Sequence, residues 1–404
     1  MARVCIIRQQ YYSDPRVARE CKALMECGHG VDWICLRKAG EPLRERRGRL
    51  TIWRLPPQRN PGSNPADYLL YYATFFVLAA GLAAALHLRR RYRLVQVNTL
   101  PDVLVFAAAV PRLLGARVLL DLQECMPEFF ATKFHTSLRS PAVRLIAAFE
   151  QLSIRFADLV ITPTALMREA FVSRGADTAK IFVIMDGADE AVFHPVPRTG
   201  PDRNRGVVTL LSHGTVEERY GLDTTIRAVA LLAEEMPDLK LQVYGDGSYL
   251  RRLRELADEL GVADRVSFSG SFVPIDQLVQ AIADADVGVV AMKRDAFRDL
   301  TIAGKMFDFI AMRKPMVVSR TRSVEQLFDP SSFEMFESDD PVDLARAIRA
   351  IRADADHRAE LVRRAAVAAE PYRWPHQRRI YLEVVNRLLS GRADTSSRRR
   401  PAAG

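Results

Sequence analysis

Strand-like and helix-like segments alternate along almost the whole of this chain, and that alternation admits few folds. Strands separated by helices pair as a parallel sheet with helices covering both faces. Apolar, β-branched runs fall at 4–7, 31–36, 50–55, 94–98, 117–121, 159–162 and 181–184, with a helical pattern over 15–27. Proline and charge then crowd the segment HPVPRTGPDRNR at 194–205, which reads as a linker. Beyond it the series restarts at 207–211, 239–244, 266–268, 287–291 and 316–318. The prediction is an α/β chain of two doubly wound, Rossmann-like domains facing a cleft, residues 1–200 and 201–372. A helix over 373–390 is expected to pack back on the first domain, and 391–404 to form a disordered basic tail. For two such domains the default ligand site is the cleft.

Composition narrows the function classes. With 404 residues, 49% hydrophobic and 26% charged, the chain can bury a sizeable core. Its net charge of +9 would suit nucleic acid, an anionic membrane or a phosphorylated ligand, so placement must decide. The basic residues fall in separate clusters at 44–49, 87–93 and 398–400, and no nucleic-acid-binding signature accompanies them, so no nucleic-acid partner is expected. Five cysteines without C-x-x-C spacing, four of them in the first 35 residues, read as reduced thiols of a cytoplasmic protein. The opening MARVCIIRQQ reads as a first strand, too short in its apolar part for a signal peptide.

The segment RDAFRDLTIAGKMFDFIAMRKPMVVSR at 294–320 carries the strongest chemical signal. It reads as a polar loop ending at Gly304, a helix opening with Lys305 and holding Asp308 in its first turn, and a buried strand. Free N–H groups and a partial positive charge at such a helix start favour a phosphate, and a lysine and a carboxylate close by suit a diphosphate and a ribose hydroxyl. A plain amphipathic helix behind a glycine loop fits the same letters. The segment SHGTVEERYGLDTTIRAV at 212–229 follows a strand, so Gly214 allows close backbone approach and Arg219 can reach phosphate oxygens. His213 beside it is either a site residue or a structural loop histidine. YGDGS at 244–248 places Gly245 in a second strand-end turn. No Walker loop and no G-x-G-x-x-G is present. Asp284-Ala285-Asp286 has the D-x-D spacing of some metal-dependent sugar transferases, but it precedes its strand and so lies at the wrong end of the sheet. The histidines show no metal spacing, and neither a metal nor a cofactor is expected.

Taken together, the three segments and FVPIDQLVQAIADADVGVV at 272–290 resemble the donor domain of the family-4 (group 1) retaining glycosyltransferases of GT-B fold. The first half is similar too, in SDPRVARECKALMECGHGVDWICLR at 13–37, VQVNTLPDVLVFAA at 95–108, LLDLQECMPEFF at 119–130 and MDGADEAVFHP at 185–195. The resemblance covers about residues 3–390. It implies transfer of a sugar from a nucleotide diphosphate sugar to a lipid-linked or polysaccharide acceptor in cell-envelope or exopolysaccharide synthesis, by front-face displacement without an essential metal. Carried over, Arg219 and Lys305 are the catalytic pair on the diphosphate, and Gly214, Thr215, Gly245, Gly304 and Asp299 line the donor. The backbone of Phe272 and Val273 faces the base, and Asp308 binds the ribose. Gln9, Gln10, Arg16, Gln123 and Glu124 line the acceptor side. The chain departs from the family pattern in the loop before the helix, with Ala303-Gly304-Lys305 where relatives carry Pro-Thr-Lys or similar, and at four further positions. Asp308 stands for the second of two glutamates, Leu300 for the first, Gln123 for a histidine and Tyr220 for a lysine. Two rivals remain: a catalytically weak binding or scaffold partner, and a nucleotide-sugar epimerase of the same fold.

One segment fits neither sheet. Residues 68–88, YLLYYATFFVLAAGLAAALHL, contain no Asp, Glu, Lys or Arg and run into a basic cluster. At 1.5 Å per residue such a helix reaches about 30 Å, enough to cross a bilayer. Strands of one sheet on either side of it rule out a crossing. It packs on the sheet, lies in a membrane interface, or enters one leaflet and returns, and Arg89, Arg90, Arg91 and Arg93 are placed to meet anionic headgroups on the cytoplasmic face.

Overall fold

The computed structural model describes residues 1–12, 14–56, 65–199 and 208–391; the end of the proline-rich segment and the basic tail from 392 lie outside them. The chain divides into two compact units, Met1–Met185 with the chain from Gln377, and Asp186–His376. The division falls earlier than the proline-rich linker. Its cause is bonding: Arg198 reaches the Asp286 carboxylate at 2.9 Å, and Thr199 N–H donates to Asp284 at 2.7 Å, which ties the linker to the second unit. Those contacts also give the D-x-D carboxylates a structural duty.

Eight strands form the first sheet: β1 (Arg3–Tyr11), β2 (Gly30–Leu36), β3 (Arg44–Arg47), β4 (Leu50–Leu55), β5 (Leu94–Asn98), β6 (Arg117–Asp121), β7 (Leu159–Thr162) and β8 (Ile181–Val183). Their order is β3-β4-β2-β1-β5-β6-β7-β8, parallel throughout except where β3 turns back on β4. Its helices are α1 (Pro15–Glu26), α2 (Pro65–Arg90), α3 (Ala109–Leu113), α4 (Met126–Lys133), α5 (Pro141–Phe156) and α6 (Ala165–Ser173). Asp14 caps α1 by accepting the Val17 N–H, and Pro15 fits the first helical position, where no N–H is needed. Right-handed crossovers put α1 on one face, while α2, α3 and α5, whose connections run the other way along the sheet, lie on the opposite face. Four of the five cysteines, Cys5, Cys21, Cys35 and Cys125, are buried here, and Cys27 is exposed.

The long apolar helix is continuous and belongs to this unit. Phe75, Ala79, Ala83 and Leu86 bury one stripe of it, whereas Leu70, Val77 and Leu88 stay exposed on other sides. Arg90 is not available to headgroups, contrary to expectation. Its guanidinium donates to the buried Asp32 carboxylate at 2.6 Å and covers the Trp53 ring, and Asp32 also accepts from Trp53 and Tyr92.

The second sheet contains β9 (Val208–His213), β10 (Leu239–Tyr244), β11 (Val266–Phe268), β12 (Val287–Val290), β13 (Met316–Arg320) and β14 (Glu334–Glu337), all parallel, in the order β11-β10-β9-β12-β13-β14. Around it pack α7 (Leu222–Leu231), α8 (Leu250–Glu259), α9 (Ile275–Asp284), α10 (Gly304–Ala311), α11 (Arg322–Leu327), α12 (Pro341–Ala353) and α13 (Ala355–Ala369). The final helix, α14 (Trp374–Ser390), belongs to the first unit from Gln377 onward. There Gln377 accepts the Met185 N–H at 2.8 Å, and the buried Tyr381 hydroxyl donates to Gln96 at 2.7 Å. Covered on both faces, the central strands VGVV and MVVS are apolar without alternation. Strand order reverses between β9 and β12, which opens a crevice at their carboxyl ends.

Candidate functional site

That switch point gathers the cationic residues of the second unit. The turn after β9 is built by close backbone contact: a Cβ on Gly221, at φ +62°, would stand 1.8 Å from the Ala291 carbonyl oxygen, so only glycine fits. Gly245, at φ +148°, lies equally close to the Gly214 carbonyl, and Gly214 N–H donates to Tyr244 O at 2.8 Å. The two glycine turns thus stack on each other. From the other side, Lys293 N–H donates to Arg219 O at 3.0 Å and fastens the loop after β12 to the turn after β9.

This loop carries Arg298, which sequence reasoning missed, into the site. Asp295 accepts the N–H groups of Phe297 and Arg298 at 2.8 and 2.7 Å, and the resulting turn buries Phe297. Arg298 then lies 5.2 Å from the centre of the Tyr220 ring, with Lys305 Nζ at 4.7 Å and the Arg219 guanidinium at 5.5 Å. Three cations meet around one aromatic ring, an arrangement the ring quadrupole eases but does not neutralise. Burial and the Arg298 charge press the Lys305 amine down to about 8, with Asp308 acting against them. Tyr220, the departure from lysine, is the hub of this cluster. The only sequence signal for Arg298 was its place in the loop after a switch-point strand.

The start of α10 completes the surface. Ala303 occupies the cap position with no side-chain hydrogen bond, and Gly304 is exposed with open space where a Cβ would be. Backbone N–H groups at this end are open to an anion. Asp308 lies beyond the first turn of α10 rather than in it, since the helix begins at Gly304. Its carboxylate stands 3.7 Å from His213 Nε2. Burial, then the Lys305 charge, push the His213 imidazole down to about 3, so at neutral pH it is uncharged and forms no ion pair. His213 is the last residue of β9, not a loop residue, and its Nε2 is buried without a hydrogen-bond partner among the described residues. Thr215 is exposed beside it, and Phe272 is exposed and Val273 half-buried in the loop after β11. Asp299 is committed elsewhere: both oxygens accept from the Arg294 guanidinium, and one takes the Arg322 N–H at 3.1 Å. Leu300 is buried next to it.

The residues expected on the acceptor side have a different character. Arg16 is buried, donates twice to Asp121 at 2.8 and 3.1 Å and once to Ile184 O, and so holds the unit together rather than facing a ligand. Asn98 and Gln123 donate to the same Asp121 oxygen at 2.7 and 3.0 Å, and Gln96 links Asn98 to Glu20. Gln9 is buried and donates to Tyr71 O at 3.2 Å; Gln10 is exposed at the end of β1, and Glu124 is half-buried. Among the described residues no group of three or more His, Cys, Asp or Glu could hold a metal ion.

Comparison with known proteins places the chain in a family. A glycosyl transferase 4-like domain model matches residues 13–187, and a glycosyl transferases group 1 model matches 207–354. The chain is similar to the D-inositol 3-phosphate glycosyltransferase of Acidothermus cellulolyticus, 29% identical over 61% of this chain and 55% of that protein. It is similar also to the GDP-mannose-dependent alpha-(1-6)-phosphatidylinositol monomannoside mannosyltransferase of Mycolicibacterium smegmatis, 29% identical over 49% of this chain and 54% of that protein. The chain spans about half the length of the curated relatives it matches. Among solved structures, sucrose-phosphate synthase from Thermosynechococcus elongatus has a TM-score of 0.74 at 18% identity, covering 97% of this chain and all of that one. Anabaena HepE in complex with UDP and glucose has a TM-score of 0.71 at 16% identity, covering 96% of this chain and all of that one. The chain belongs to the group 1, family-4-like glycosyltransferases of GT-B fold.

Proposed function

We propose that the chain transfers a sugar, with retention of configuration, from a nucleotide diphosphate sugar to a lipid-linked or polysaccharide acceptor. The observation that carries this reading is the cluster of Arg219, Arg298 and Lys305 around Tyr220, next to the uncapped start of α10. A diphosphate brings its negative charge to the place where these three cations meet. As the bond to the sugar breaks, charge grows on the leaving diphosphate, and these groups stabilise it without reorganising. His213, neutral and buried, offers a ring nitrogen to the sugar or phosphate, and Asp308 accepts from the ribose. The similarity to a protein seen with UDP and glucose supports the donor class, and similarity to a phosphatidylinositol mannoside transferase supports a lipid acceptor. Attachment to the inner face of a membrane is part of the same reading, supported by the exposed apolar sides of α2.

A second reading, a nucleotide-sugar binder with little turnover, is favoured by one observation: Leu300 and Asp299, where the family places a glutamate, are respectively buried and tied to Arg294. Slow hydrolysis of UDP-, GDP- and dTDP-sugars separates the two. A transferase releases sugar from one of these donors. Tight nucleotide binding with no release from any of them refutes the transferase and leaves the binder.

A further inference from the structure

The apolar surface of the first unit is wider than α2. The short helical segment Asp102–Ala108 packs against both α2 and α5, and α3 packs on α2. Phe106 meets Phe156 at the end of α5, 4.9 Å between ring centres, and Arg112 of α3 covers the same ring. All three helices therefore lie side by side on one face of the sheet. Each presents leucines to solvent: Leu70 and Leu88 on α2, Leu113 and Leu114 on and after α3, and on α5 the stripe Leu145, Phe149 and Leu152, spaced to share one side of a helix. Clustered apolar side chains on an exposed face mark an interaction or membrane site. Exposed Arg89, Arg144 and Arg155 border it.

At the end of α2 this face runs into a basic pocket of about 560 Å³. Leu88, Leu114 and Leu388 form its apolar part, and Arg91, Arg93 and Arg117 its charged part. Arg93 immediately precedes β5 and Arg117 opens β6, so the pocket lies at the amino ends of the strands, away from the carboxyl ends that carry Gln10 and Gln123. His87 also lines it, nine-tenths buried, with a ring nitrogen, Nδ1, that has no partner among the described residues. The Arg93 side chain donates to the carbonyl of Leu389, also in the lining, at 2.5 Å, and the Arg117 side chain pairs with Asp158 at 3.3 Å. Cations beside leucines match the boundary between a phosphate headgroup and acyl chain.

We propose that the face formed by α2, α3 and α5 docks on an anionic phospholipid bilayer, with one headgroup phosphate held by Arg91, Arg93 and Arg117 in the pocket. This rests on the membrane attachment proposed above and adds to it a phosphate site and two further helices. The test is co-sedimentation of the full chain with phosphatidylcholine vesicles, with and without phosphatidylglycerol. The wild type partitions more strongly onto the anionic vesicles; Arg91→Gln with Arg93→Gln weakens that partition by about tenfold or more and leaves neutral vesicles unaffected. Leu145→Ser with Leu152→Ser, at exposed positions, weakens partition onto both. If the wild type binds but neither double variant differs from it, the pocket and the wider face are refuted and attachment through α2 alone stands. A wild type that stays in the supernatant refutes both, while donor hydrolysis remains an independent measure of the transferase. Lipid-free self-association abolished by Leu145→Ser with Leu152→Ser makes the face an interface between copies and overturns the proposal. Inorganic phosphate bound in the pocket by a wild type that ignores anionic vesicles identifies a free-phosphate site and overturns it equally.

Discussion

Each unit holds a cluster of charged side chains near the carboxyl ends of its strands, and the two clusters are built oppositely. In the first unit Arg16 meets Asp121 through two hydrogen bonds, Asn98 and Gln123 occupy the same carboxylate, and burial with the Asp121 charge pushes the Glu20 carboxyl up toward its neutral form. Charge and hydrogen bonds close within the cluster. In the second unit Arg219, Arg298 and Lys305 crowd one another, and one of them already has a depressed pKa. The first arrangement holds a fold; the second, in the function proposed above, holds a ligand.

Removing a charge should therefore do opposite things in the two places. Arg16→Ala leaves Asp121 buried and uncompensated, and is expected to cost about 3–5 kcal/mol of stability, read as a fall in the urea midpoint. An unchanged midpoint would show that the first cluster is no more structural than the second. Arg219→Ala or Lys305→Ala should instead not lower the midpoint, yet lower kcat/KM by about 10²-fold, equivalent to about 2.7 kcal/mol of transition-state stabilisation. Wild-type turnover in both variants removes them from the chemistry.

The smallest effect is the sharpest. Lys305 is an amine whose folded pKa, about 8, lies below its ordinary value, so its charged form opposes folding below that pH, and the opposition disappears as pH rises from about 8 towards the ordinary value. Lys305→Met should then raise the thermal midpoint at pH 7. Nucleotide binding has the reverse sign, because a diphosphate prefers the ammonium. Affinity for UDP should drop by about tenfold between pH 7 and pH 9 in the wild type and stay level in Lys305→Met. A flat wild-type titration by calorimetry would mean that the amine does not face the diphosphate.

Apolar runs showed where the central strands lie because those strands are covered on both faces and can hold little else. Two edge strands escaped for the converse reason: β3 reads RERR and β14 reads EMFE, too charged or too short for a pattern. Gly214, Arg219, Gly304 and Lys305 were legible because each adjoins a strand end or helix start, where chain direction alone fixes the surroundings. Arg298 was not, since only the turn closed by Asp295 brings it back to Tyr220. The burial of Arg16 was hidden for a related reason. Its partner Asp121 lies far along the chain, and a buried pair has the same letters as an exposed pair of site residues.

The return of α14 to the first unit also sets an order of events on the ribosome. The second unit, Asp186–His376, is contiguous and can close its core as soon as it clears the exit tunnel. The first unit is emitted earlier but stays unfinished, with the Gln96 side chain waiting for a hydroxyl from Tyr381, until the chain has been made past that residue. The second unit can thus close before the first is sealed.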